Sequence, residues 1–121
     1  MSQTMLEKFG EILIRRVRDK AITDWEMILD GKMKGSSAAQ VRALLSRYSI
    51  EQVQILEKLI PQVVDTTLHH LLWTLDQSNI LKILFSDTDG TTCDIKELSD
   101  GLPGELYGDR GWIKRFSKHH S

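Results

Sequence analysis

The sequence predicts a mainly α (α+β) fold: a small helical bundle with a kinked central helix and a short C-terminal β-hairpin. Three observations carry that expectation. Apolar residues recur at spacings of three and four along the first two thirds of the chain, Pro61 interrupts the strongest of these rows, and Asp89-Gly90 separates two short strand-like runs. With 121 residues, 40% of them hydrophobic and 27% charged, the composition is that of one domain over residues 1–121 with a single core.

The first element is a long amphipathic helix from Ser2 to about Lys34, because Met5, Phe9, Ile12, Leu13, Val17, Ala21, Trp25 and Ile28 share one face. Gly31 and Gly35 flank Lys32, Met33 and Lys34, the usual chemistry of a helix C-terminus. Ser37 followed by Gln40 has the spacing of a capping box and predicts a short helix through Tyr48. Ser49 and Gln52 repeat the pattern and open the core helix, Ile50 to Gln77. Its row is Val53, Leu56, Ile60, Val63, Thr67, Leu71 and Leu75, with Leu59, Val64, Leu68 and Leu72 beside it. Unbroken, this helix is about 40 Å long at roughly 1.5 Å per residue. Pro61 removes an amide and crowds the Glu57 carbonyl, which predicts a kink between those residues. The apolar stripe widens after Pro61, so this half is expected to pack on two sides, one of them the first helix.

Beyond Ser78 the pattern changes. Ile80–Phe85 and Thr91–Leu98 are expected to pair as a hairpin around the Asp87–Thr92 turn. Asp94 followed by Glu97 is equally a helix-capping pattern, so a short helix there stays open as the alternative. Four glycines and Pro103 between Ser99 and Gly111 predict a structured loop outside any regular element. A last helical turn at Trp112 to Phe116 is expected to dock Trp112, Ile113 and Phe116 on the core, with Lys114, Arg115 and Lys118 outward.

A formal net charge of −1 supplies no overall field for nucleic acid or anionic lipid, so neither is expected as a partner. Arg15, Arg16, Arg18 and Lys20 form a basic cluster, but Asp19 interrupts it and Glu7 and Glu11 lie on neighbouring turns, the signature of a solvated helix face. No apolar run approaches the roughly 20 residues that span a bilayer, and Met1–Lys8 lacks the pattern of a signal peptide. A cytoplasmic location is therefore expected. The single Cys93 makes no internal disulfide, fits a reducing compartment and reads as a small packing residue.

Two constellations bear on chemistry. Ile83–Thr91, an apolar run entering Asp-x-Asp-Gly-Thr, resembles the first motif of haloacid-dehalogenase-type phosphatases. That resemblance implies Asp87 as nucleophile and Asp89 as acid/base beside a magnesium ion. Residues 92–121 are too few for the doubly wound sheet which that family places after the motif, so a hairpin turn with aspartates satisfying backbone amides is expected instead. Asp65 and His69, four apart on the core helix, offer two ligands on one face to a metal, as do Thr66 and His70, with Asp24 a conceivable addition. Two ligands do not complete a site, and a pairing of Asp65 and His69 with each other, or with Trp25 or Trp73, at the core edge is the simpler expectation. A metal-dependent hydrolase built on Asp65 and His69 or His70, or on Asp87 and Asp89, is the alternative function.

The long N-terminal helix, the segment Leu59–Trp73 and the Asp100–Tyr107 stretch before Gly111-Trp112-Ile113 together resemble uncharacterised small bacterial helical proteins, some of them similar to immunity proteins. The resemblance implies a small protein-binding module without catalysis or cofactor. The residues of the loop agree: Tyr107, Arg110 and Trp112 are the expected contacts, since aromatic and arginine side chains dominate binding energy. A protein partner is expected, and a homodimer is compatible because the wide stripe on the core helix exceeds what one chain covers.

Overall fold

The computed structural model describes residues 2–119, and the chain is mainly helical with one small antiparallel hairpin, as the sequence predicts. Helix α1 (Ser2–Ile12), a π-helical stretch (Leu13–Arg18) and helix α2 (Asp19–Leu29) follow one another without interruption. The residues at both joints, Ile12 and Asp19, keep right-handed helical angles. The rod ends at Leu29, not near Lys34. Gly31 takes φ +75°, its N–H donates to the Ile28 carbonyl at 3.2 Å, and the Lys32 N–H donates to the Met27 carbonyl at 2.8 Å. These two bonds are a Schellman closure, and glycine occupies the left-handed position it demands.

The buried face of this rod also departs from the expected one. Leu6, Gly10, Ile14, Arg18 and Ile22 point inward at steps of four, whereas Ile12, Val17 and Trp25 are exposed. In an α-helix steps of four drift by about 40° each. The wider i→i+5 turn over Leu13–Arg18 takes up that drift and keeps the row on the core.

Helix α3 (Ser36–Leu44) starts from Gly35 with no side-chain cap and stops short of Tyr48, burying only Ala38. Helix α4 (Ile50–Gln77) begins with the expected capping box: the Gln52 N–H donates to Ser49 Oγ at 3.1 Å, and the Ser49 N–H donates to Gln52 Oε1 at 2.8 Å. It continues through Pro61 as one helix of 28 residues. Leu68 and Leu72 are its buried residues, with Val64 and Leu75 packed beside them, while Val63, Thr67 and Leu71 of the expected core row face solvent.

Strands β1 (Leu84–Ser86) and β2 (Thr92–Asp94) pair in the register Leu84↔Asp94, Phe85↔Cys93 and Ser86↔Thr92. The hairpin is shorter than expected because Asp94 ends it. Its carboxylate accepts the Lys96 N–H and caps a 3-10 turn, Ile95–Leu98, so the hairpin and the capped helix are both realised in succession. The glycine-rich segment holds a second 3-10 turn, Leu102–Leu106, whose two leucines are buried against α4. Helix α5 (Trp112–Phe116) closes the core as expected. The Trp112 ring stands edge-on to Phe9 with centroids 5.8 Å apart. A Cβ at Gly10 would meet that ring at 2.4 Å, so Gly10 is what admits the indole.

Candidate functional site

The most polar buried part of the molecule is built on Arg18, carried inward by the π-helical stretch. Nε and Nη2 donate to the two oxygens of Asp65 on α4, at 2.6 and 3.2 Å. Nη1 donates to Ser117 Oγ at 2.8 Å, to the His119 carbonyl at 2.7 Å and to Asp19 at 3.3 Å. Asp19 in turn accepts the Ser117 hydroxyl at 2.7 Å and the Lys118 N–H at 2.8 Å. A guanidinium removed from water costs several kcal/mol unless its donors are met, and a bidentate carboxylate is the geometry that meets them best. Every nitrogen of Arg18 is engaged. Among the described residues no buried side-chain nitrogen or oxygen is left without a partner. The expectation that the cluster around Arg18 is a solvated face therefore holds for Arg15, Arg16 and Lys20, which are exposed, and fails for Arg18.

A cleft of about 420 Å³ lies beside this junction, between α2 and the segment after α5. In it Thr23 Oγ1 is 2.9 Å from His119 Nε2, and Glu26 Oε1 is 3.6 Å from His119 Nδ1. Hydroxyl, imidazole and carboxylate stand in the order of an acyl-transfer relay, but 3.6 Å exceeds hydrogen-bond reach, so Glu26 does not fix the ring.

The two residues offered as metal ligands are held apart by other partners. Asp65 spends both oxygens on Arg18, and His69 Nδ1 shares a hydrogen bond with the Tyr107 hydroxyl at 3.0 Å. The expected mutual pairing of Asp65 and His69 is replaced by these contacts. Among the described residues no three His, Cys, Asp or Glu side chains converge as a metal cluster. At the hairpin, Asp87 Oδ1 accepts the N–H groups of Asp89 and Thr91 at 2.9 and 3.0 Å, and Gly90 takes φ +82°. Asp87 thus serves the turn.

Of the three expected loop contacts, the structure leaves Tyr107 and Arg110 exposed and buries Trp112. The correction has a simple cause. Trp112 opens an amphipathic turn and fills the space above Gly10, whereas Tyr107 and Arg110 flank the tight turn that Gly108 makes with φ +86°. Burial, and then the nearby Asp65 carboxylate, push the Tyr107 phenol above its ordinary range, so it stays a neutral hydrogen-bonding group. His69 and His70 meet edge to face, centroids 5.4 Å apart, and the His69 ring lies 5.9 Å from that of Tyr107. Tyr107, His69 and His70 are therefore one continuous aromatic patch joining the loop to α4.

Arg18, Asp19 and Ser117 are the polar residues that sequence reasoning missed. The available signal was the row at steps of four, Leu6, Gly10, Ile14, Arg18 and Ile22, in which a single arginine sits among residues suited to a core. The chain matches no protein-family model, no curated protein and no solved structure at a significant level. Among the described residues no helix is long and apolar enough to cross a membrane.

Proposed function

We propose that this protein is a non-catalytic protein-interaction module of the bacterial cytoplasm, acting in the manner of an immunity protein by occupying a partner's surface. The observation that supports this reading is Tyr107: 48% exposed, yet oriented by its hydrogen bond to His69 and anchored by the buried Leu102 and Leu106 just before it. A rigid aromatic presented to solvent loses little entropy on binding, and with Arg110 three residues on it has the composition of a binding hot spot. The Arg18, Asp19, Asp65 and Ser117 groups point the same way, because their hydrogen bonds are spent on joining three segments of the chain. A homodimer is compatible with this activity.

The test is affinity capture with the tagged full chain from its own cells, comparing wild type with Tyr107→Ala/Arg110→Ala. Hot-spot truncations cost about 2 kcal/mol or more, roughly 30-fold in affinity. A near-stoichiometric protein that the double variant loses, while its circular dichroism stays unchanged, is the expected result. Equal capture by both chains, or no near-stoichiometric protein on either, overturns the reading.

A further inference from the structure

A second cleft, of about 390 Å³, lies between the start of α1 and the hairpin turn. Thr4, Met5 and Lys8 line it from the helix, and Phe85 to Asp89 line it from the hairpin. Met5 is buried and Phe85 half-buried, and these two side chains are its apolar part.

The charged groups divide between the two walls. On α1, Lys8 is exposed and makes no ion pair among the described residues. The acids beside it are committed elsewhere, Glu7 to Arg115 at 3.3 Å and Glu11 to Arg15 at 3.2 Å. On the hairpin, Asp87 spends Oδ1 on the N–H groups of Asp89 and Thr91, which leaves its Oδ2. The exposed Asp89 carboxylate accepts no hydrogen bond among the described residues. Lys8 and the two aspartates thus face one cleft without pairing across it. A cation and two carboxylates set apart beside apolar side chains complement a molecule that carries an ammonium and a carboxylate around an apolar group. A simple anion would meet Lys8 alone. A divalent cation would meet two carboxylates, one of them already turned to backbone N–H groups, far short of the six or so oxygens it requires.

We infer that this cleft binds a free α-amino acid with an apolar side chain. The ammonium lies at Asp89 and the free oxygen of Asp87, the carboxylate at Lys8, and the side chain against Met5 and Phe85. The volume falls within the roughly 300–1,000 Å³ of small-molecule clefts, which combine apolar lining with a few placed polar groups. The Asp-x-Asp-Gly turn then serves recognition without catalysis. This site goes beyond the reading of an interaction module and shares no residue with the Tyr107 and Arg110 surface.

The test is titration of the isotope-labelled full chain with L-leucine and L-phenylalanine, read from its amide resonances. Saturable shifts at Met5, Lys8 and Phe85–Asp89, with Kd on the order of 1 mM or tighter, are expected. N-acetyl-L-leucine lacks the ammonium and L-leucinamide lacks the carboxylate. Each is expected to bind about fivefold more weakly than L-leucine, and Lys8→Met and Asp89→Asn are expected to weaken L-leucine by a similar factor. Both side chains are exposed, so the rest of the amide spectrum should match wild type and report an intact fold. Absence of saturable shifts at these residues with both amino acids up to about 20 mM overturns the inference. So does either analogue binding as tightly as L-leucine, or either variant binding as wild type does. None of these readouts depends on capture of a partner through Tyr107, so failure here and failure of the proposed function are distinguishable.

Discussion

Arg18 is completely buried, while Ile55, Leu59, Val63 and Trp73 on the neighbouring helix are about half exposed. The two regions reverse the usual placement of charged and apolar side chains, and they do so for different reasons. At the Arg18 junction, three segments distant in sequence meet, and the guanidinium supplies each with a hydrogen-bonded partner: Asp65, Ser117 with the His119 carbonyl, and Asp19. Burial of the charge is sustained by saturation of its donors. On α4, nothing in the fold requires the apolar residues outside, since Val64, Leu68, Leu72 and Leu75 already serve the core. A satisfied charge inside joins segments of the fold, and the apolar area outside is what the core leaves uncovered.

The largest effect should come from breaking the buried side of this contrast. Arg18→Met leaves Asp65 and Asp19 without their cation and should lower unfolding free energy by about 3–5 kcal/mol in urea titrations. Arg18→Met/Asp65→Leu should recover the part of that loss owed to the unpaired Asp65, while Asp19 stays without its cation. Gly10→Ala adds a methyl group against the Trp112 ring and should cost about 2–3 kcal/mol by the same assay. Ser117→Ala takes one donor from Asp19 and one acceptor from Arg18, for about 1–2 kcal/mol. On the exposed side, Val63→Glu should leave the unfolding free energy of the monomer within about 0.5 kcal/mol of wild type.

The smallest effect concerns a second meeting of the first rod with α4. A hydrogen bond with Asp30, slight burial and repulsion from the Asp30 and Glu26 carboxylates together raise the Glu57 carboxyl above its ordinary 4.5. A carboxyl raised in the folded state contributes stability below its unfolded pKa and loses that contribution as pH climbs through the folded value. Glu57→Gln removes the titration. It should be more stable than wild type at pH 7 by a few tenths of a kcal/mol, the scale of exposed charge pairs, with the advantage fading near pH 4. Urea midpoints at the two pH values measure it.

What was legible in the sequence is what short-range chemistry decides. Ser49 and Gln52 cap α4 as their spacing predicts, and Gly31 stops the first rod within a few residues of the expected place. Trp112, Ile113 and Phe116 dock as an amphipathic turn should. The errors arise where partners far along the chain decide. The π-helical stretch turns Arg18 inward because acceptors 47 and 99 residues away await it, a match no local window contains. On α4 two adjacent apolar rows compete, and tertiary packing buries the one with Leu68 and Leu72. Trp112 was legible as a core residue from its own helix and as a contact from its glycine-rich neighbours, and the space above Gly10 decides for the core. Of the loop contacts, Tyr107 and Arg110 face solvent.

The division between an architectural junction and interacting surfaces is tested most directly by partner capture with the folded Arg18→Met/Asp65→Leu chain. Capture equal to wild type, beside its loss in Tyr107→Ala/Arg110→Ala, is the result predicted. Loss of capture by a chain that keeps its fold and its Tyr107 surface would contradict the account and place the Arg18 junction within the functional site.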